Sequence, residues 1–245
     1  MSRTILITGA STGIGAATAL RLAANKDNDI LIHYCHSEQT ARQVADQVRQ
    51  RGGRPSLVQA DLATEAGCRA LAETVAQQYG KLDVLVNNAG GLVERCPARQ
   101  IRWDLLEQVF ALNTFSAMYL TSLCIPLLEK GEDPSIVHIT SIAIRHGAPT
   151  ATIYGAAKGA LDVFTRGLAK ELAPTIRVNA VAPGVIDTPF HQKYTTPERL
   201  AQFRSQTPLG RLGTADEIAQ AIQFCIENRF LTGETLDVNG GLFMR

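Results

Sequence analysis

Short apolar runs rich in β-branched residues recur along this chain, and a longer stretch with helical spacing follows almost every one. The first run is Thr4-Ile5-Leu6-Ile7-Thr8; a glycine-rich turn and an alanine-rich helix over 14–24 come next. The same alternation predicts strands over 29–34, 55–60, 83–87, 135–140, 176–181 and 235–238. It predicts a helix capped by Ser37 that carries Ala41, Val44, Ala45 and Val48 and ends at Gly52-Gly53. Further helices are predicted over 64–78, 103–128, 154–172 and 215–227. Strands separated by helices are joined by right-handed crossovers into a parallel sheet. Their uninterrupted apolar cores mean that both sheet faces are covered. The expected fold class is α/β: a doubly wound parallel sheet of about seven strands with helices on both faces. No linker, repeat or low-complexity segment divides the chain, so residues 1–245 are expected to form a single domain. The longest irregular stretch, 184–213, holds Pro189, Pro197 and Pro208, with Pro183 just before it. It reads as a flap, about 185–212, over a site.

Composition removes several classes of function. Hydrophobic residues are 45% of the chain and charged residues 19%, which is globular rather than disordered. The formal charge of +1 offers no global field for nucleic acid or anionic lipid. No apolar run of membrane-spanning length is expected, and Gly9 comes too early for a secretory signal. Cys35, Cys68, Cys96, Cys124 and Cys225 show no C-x-x-C spacing, so reduced thiols in a cytoplasmic protein are expected. His33 and His36 are three apart on an extended strand and point to opposite faces, with no third ligand evident. No metal site is expected.

Thr8-Gly9-Ala10-Ser11-Thr12-Gly13-Ile14-Gly15 joins the first strand to the first helix. Glycine lets backbone approach a pyrophosphate, and a helix N-terminus offers unpaired N–H groups. Gly9, Ser11, Thr12, Gly13, Ile14 and Gly15 are therefore candidate dinucleotide contacts. A tight turn that binds nothing would use the same glycines.

The turn does not stand alone. Asn87-Asn88-Ala89-Gly90, Asn113, Ser141, Tyr154-Gly155-Ala156-Ala157-Lys158, and Pro183-Gly184 with Thr188 follow it in order. Together, over residues 4 to about 244, they resemble the classical short-chain dehydrogenase/reductase family. In length and wording the chain is similar to the 3-oxoacyl-[acyl-carrier-protein] reductase type. The resemblance implies a Rossmann fold. It implies that Asn88, Ala89 and Gly90 lie beside the adenine ribose and that Asp61, with Leu62, meets the adenine. It further implies that Pro183, Gly184, Ile186 and Thr188 orient the nicotinamide carboxamide, and that Asn113 holds a water linking Lys158 to solvent. Asp61 as a cap for the helix from Thr64 is the competing reading.

Tyr154 and Lys158 are four apart on one helix face, and Ser141 follows the fifth strand at the sheet's carboxyl edge. Hydride transfer to a ketone leaves an alkoxide that needs a proton. A tyrosine, with an ordinary pKa of about 10, gives and takes that proton near neutrality only if a cation favours tyrosinate. Tyr154 is thus the expected general acid/base. Lys158 lowers its pKa and holds the nicotinamide ribose, and Ser141 hydrogen-bonds the substrate oxygen.

The end of the second strand reads His33-Tyr34-Cys35-His36-Ser37, with no acid before Glu38. An acid there would bind the ribose hydroxyls of NAD. NADP(H) is therefore favoured, with Tyr34 and Ser37 as phosphate donors. NAD(H) stays possible because Thr12 stands where many NADP-using relatives carry arginine. Leu92, Val93, Arg95, residues 142–146 and the flap over 190–203 are expected to face substrate. Arg95, Arg145 and His146 either meet an anion or are solvated loop charges.

The segments 128–133 and 172–176 lack the basic residues that would attract an acidic carrier, which argues against acyl carrier protein as partner. A small ketone, sugar or hydroxy acid fits equally. In the family, the helices matching 103–128 and 154–172 form a four-helix contact, so a homotetramer is expected. The expected function is an NADP(H)-dependent oxidoreductase interconverting a carbonyl and a secondary alcohol. The alternatives are a catalytically silent NADP(H)-binding regulator, a NAD-dependent sugar or alcohol dehydrogenase, and an epimerase or dehydratase on the same fold.

Overall fold

The computed structural model describes residues 2–26 and 28–244. The elements run β1 (Thr4–Ile7), α1 (Gly13–Leu22), β2 (Asp29–Tyr34), α2 (Glu38–Gln50), β3 (Arg54–Gln59), α3 (Glu65–Tyr79) and β4 (Val84–Asn87). Then come α4 (Trp103–Phe110), a π-helical turn (Ala111–Phe115), α5 (Ser116–Leu128), β5 (Ser135–Ile139), α6 (Ala143–His146), α7 (Thr152–Leu172) and β6 (Arg177–Pro183). The remainder is β7 (Ile186–Asp187), α8 (Pro189–Tyr194), α9 (Pro197–Gln206), β8 (Gly213–Thr214), α10 (Ala215–Glu227) and β9 (Thr235–Val238).

Seven strands form one parallel sheet in the order β3-β2-β1-β4-β5-β6-β9. The chain moves outward from β1 to β3, then returns to β4 on the other side, so the order reverses between β1 and β4. Strand residues alternate between two cores. Ile5, Ile7, Val84 and Val86 face α1, α2 and α10; Leu6, Leu31, Leu85 and Ile136 face α3, α5 and α7. A smaller cluster of Cys96, Leu105, Val109, Ile153 and Ala157 joins α4 to α7 beside the carboxyl ends of the strands. This is the doubly wound sheet read from the sequence.

Several expectations are corrected. The stretch 184–213 is not irregular. It carries α8 and α9, and the short β7–β8 pairing closes its base. Ser37 occupies the N-cap position of α2 but makes no capping side-chain bond. The helix over 103–128 is continuous yet changes pitch at Ala111–Phe115. By length and composition Trp103–Leu128 is apolar enough to cross a membrane, against the reading of the sequence. Half of it is buried inside the molecule, where Leu120, Cys124 and Leu128 pack into the core beside α3 and Leu105 and Val109 into the smaller cluster. All five cysteines are free, and four are buried.

Candidate active site

The loops that leave the carboxyl ends of β1, β2, β4, β5 and β6 surround one long cavity of about 940 Å³. One end is lined by the glycine turn, Tyr34, Ser37 and Asp61. The other is lined by Ser141, Tyr154, Phe190 and Phe203.

The glycine turn is held by side chains from two other strands. Asn88 Nδ2 donates to the carbonyls of Thr8 (2.8 Å) and Gly9 (3.0 Å), while the Thr8 hydroxyl accepts from the N–H groups of Asn88 and Ala89, each at 2.9 Å. His33 Nδ1 accepts from the Gly9 N–H (3.0 Å), so its Nε2 carries the proton and donates to the Ala60 carbonyl (3.0 Å). Burial lowers the His33 pKa and keeps that neutral form. The packing leaves no room for a larger residue at Gly15, where a Cβ would lie 2.5 Å from the Gly9 carbonyl oxygen and 2.6 Å from Asn88 Nδ2. Thr12, at the N-cap of α1, makes no capping bond, so the first turn of α1 presents its N–H groups toward the cavity. Asp61 lines the same end. Its carboxylate accepts from the Ala63 N–H (3.0 Å), whereas the cap of α3 is Thr64.

At the other end, Tyr154 and Lys158 project from the first turns of α7, and Ser141 from the loop after β5. The Lys158 ammonium lies 5.9 Å from the Tyr154 ring centre and donates to the Ile139 carbonyl at 2.8 Å. A hydrogen bond from Ser141 pulls the Tyr154 pKa down, but burial outweighs it and pushes the phenol up to about 12. Burial lowers Lys158 to about 8. Desolvation of the phenol thus outweighs the hydrogen bond that favours its ionised form. Asn113 sits in the π-helical turn. Its amide donates to the carbonyls of Gly91 (2.8 Å) and Val109 (2.9 Å) and accepts from the Gly91 N–H (3.0 Å). Gly90 is wedged between Asn113 and Lys158: a Cβ there would lie 2.8 Å from Asn113 Oδ1 and 3.0 Å from Lys158 Nζ. Asn113 therefore fixes the loop after β4 against the lysine.

Thr188 closes the middle of the cavity. Its hydroxyl donates to the Ile186 carbonyl (3.3 Å), and its methyl faces Gly13. Leu62, Ala89, Pro183, Gly184 and Ile186 also line the cavity, whereas Gly15 and Asn113 pack behind its wall. Of the three cations suggested for substrate, Arg95 and His146 line the cavity, while Arg145 is paired with Asp237 (3.1 Å). His33 and Thr8, the braces of the turn, were not among the sequence candidates. Among the described residues no group of three metal-ligating side chains occurs.

Residues 9–243 match the family model described as enoyl-(acyl carrier protein) reductase. The chain belongs to the short-chain dehydrogenase/reductase family. One relative of this short-chain dehydrogenase/reductase is general stress protein 39 of Bacillus subtilis, 38% identical over 98% of this chain and 84% of that protein. Among solved structures, the NADH-dependent reductase A1-R′ responsible for alginate metabolism is 31% identical, with a TM-score of 0.90 over 100% of this chain and 98% of that one. The angucycline C-6 ketoreductase LanV with bound NADP is 27% identical, with a TM-score of 0.90 over 98% of this chain and 95% of that one. The short-chain dehydrogenase/reductase fold and the long cavity fit a nicotinamide dinucleotide. The uncapped α1 N-terminus offers N–H groups to a pyrophosphate, and the close-packed turn lets backbone approach it.

Proposed function

We propose that this protein is an oxidoreductase that interconverts a carbonyl and a secondary alcohol, with Tyr154 as the proton donor and acceptor. The observation that carries the reading is the convergence of Ser141, Tyr154 and Lys158 at the end of the cavity opposite the α1 N-terminus. A bound nicotinamide dinucleotide supplies or accepts the hydride. It would be held by Gly9, Ser11, Thr12, Gly13, Ile14, Gly15, Asn88, Ala89, Pro183, Gly184, Ile186 and Thr188. Asp61 and Leu62 would lie at its adenine. In the reducing direction, Tyr154 Oη gives its proton to the substrate oxygen while Ser141 donates a second hydrogen bond to that oxygen. The phenol is protonated before this step, as donation requires. Lys158 then favours the tyrosinate that remains, and Asn113 keeps the Gly90-Gly91 backbone in place beside it.

NADP(H) is the preferred nucleotide in this reading. Glu38, the first carboxylate after β2, is paired with Arg42 and does not line the cavity. The Ser37 hydroxyl caps no helix and, with Tyr34, borders the cavity end where a 2′-phosphate would lie. Titration of each nucleotide followed by steady-state kinetics tests this. A higher kcat/KM with NADPH is expected, and a higher value with NADH overturns it.

The test of the whole reading is Tyr154→Phe on a panel of ketones, sugar ketones, 3-oxoacyl thioesters and enoyl thioesters. Turnover is expected to fall at least about a thousandfold while nucleotide still binds. Near-normal turnover in the variant would remove the assignment. Turnover of enoyl thioesters alone would replace the carbonyl by a carbon–carbon double bond.

A further inference from the structure

Most arginines in this protein meet a carboxylate: Arg21 with Asp216, Arg102 with Glu94, Arg145 with Asp237, Arg211 with Glu217. Arg95 and Arg199 do not, although both are half-buried and both line the substrate end of the cavity. Burial lowers the Arg95 pKa, and the Arg199 charge lowers it further. Arg95 also helps to hold His191, another lining residue, in its neutral form. Among the described lining residues the only carboxylate is Asp61, at the nucleotide end.

Each guanidinium is held sideways. Arg95 Nε donates to the Tyr194 carbonyl at 3.0 Å, which fixes the group and leaves its terminal nitrogens for a ligand. The Arg199 guanidinium sits over the Phe203 ring, 5.6 Å from its centre. Two like charges brought together in partly desolvated space are costly unless an anion joins them. The planar fork of arginine matches carboxylate and phosphate oxygens.

We propose that the carbonyl substrate carries an anionic group, a carboxylate or a phosphate, and that Arg95 and Arg199 bind it; this rests on the oxidoreductase reading above. Arg95 belongs to the loop after β4 and Arg199 to α9, so the bound anion bridges the sheet edge and the flap. The charged end of the substrate is thereby held beyond Phe190, whose ring centre is 6.2 Å from that of Tyr154.

The experiment compares charged and neutral substrates of matched skeleton: acetoacetate with methyl acetoacetate, and dihydroxyacetone phosphate with dihydroxyacetone. In the wild type, at least one charged member should exceed its neutral partner about tenfold or more in kcat/KM. Arg199→Gln and Arg95→Gln should each cut that preference to near one, mainly through KM. Which pair shows the effect tells carboxylate from phosphate. A wild-type preference near one in both pairs, or one unchanged in both variants, overturns the proposal. Equal losses on charged and neutral substrates do the same. Calorimetric titration of the protein bound to reduced nucleotide with 3-hydroxybutyrate and with glycerol 3-phosphate reads the site without turnover. Loss of binding in the Arg199 variant is expected, and binding of neither anion by the wild type overturns the proposal. Turnover of the neutral ketones that vanishes in Tyr154→Phe, without any charge preference, defeats only this inference and leaves the oxidoreductase reading in place.

Discussion

Burial acts on the ionisable side chains of this protein in one direction: it removes charge. His138 on β5 is fully enclosed. Its Nδ1 is 2.9 Å from the Thr165 hydroxyl, which itself donates to the Leu161 carbonyl, so Nδ1 carries the proton. Nε2 has no partner. Burial, with a smaller push from the Lys158 charge, lowers its pKa to about 3. In the unfolded chain the same group titrates near 6.5. Between those values the unfolded state binds more protons, so folding stability is fully present above about pH 6.5 and is lost as the pH falls toward 3. The loss is of the order of 4 kcal/mol over that range. Urea denaturation at pH 7 and pH 4.5 should show the drop, and His138→Asn should flatten it. A slope that the variant does not change would show that other groups carry the acid sensitivity. Tyr154 and Lys158 obey the same rule with opposite signs, the acid pushed up and the base pushed down, so burial favours the neutral form of both.

Elements show where local patterns decide and where they fail. Helix α10 starts with a reciprocal pair: Thr214 accepts from the Glu217 N–H, and the Glu217 carboxylate accepts from the Thr214 N–H at 2.8 Å. Thr214→Ala should cost about 1 kcal/mol and lower Tm by about 2–4 °C, read by calorimetry, with kcat unchanged. A Tm equal to wild type would mean that Arg211 and the contact of α10 with α1 hold the helix end without the cap. The strands were legible because both faces are buried, which makes each core an unbroken apolar run. The Tyr154–Lys158 pair was legible because a spacing of four is one helix face. The prolines of 184–213 make the stretch that holds α8 and α9 read as an irregular flap. Yet both open with Thr-Pro, Thr188-Pro189 and Thr196-Pro197, and proline at the first helical position starts a helix, with Thr196 also capping α9. The π-helical turn at Asn113 leaves no trace in an apolar periodicity. The bond from Gly9 to His33 joins two strands that only the folded sheet brings side by side.

Across the whole molecule, apolar surface remains where helices have covered the sheet and still have side chains to spare. Trp103 (74% exposed) and Phe115 (57%) on the α4–α5 helix, with Val163 (62%) on α7, stand on the helices for which the family resemblance implies subunit contact. We propose that these faces meet in a homotetramer. Light scattering should give four times the chain mass of 26.4 kDa, and a single-chain mass would refute it. The two halves of the long cavity are built differently. The dinucleotide half has walls cross-braced by Thr8, His33 and Asn88, whereas the reactant half is roofed by α8 and α9, hung from the sheet by short links. A wall that is already braced costs its ligand little ordering entropy, so that half is ready before the other is filled. Compulsory order should follow, coenzyme on first and off last, visible as product inhibition by oxidised coenzyme that is competitive only toward its reduced form.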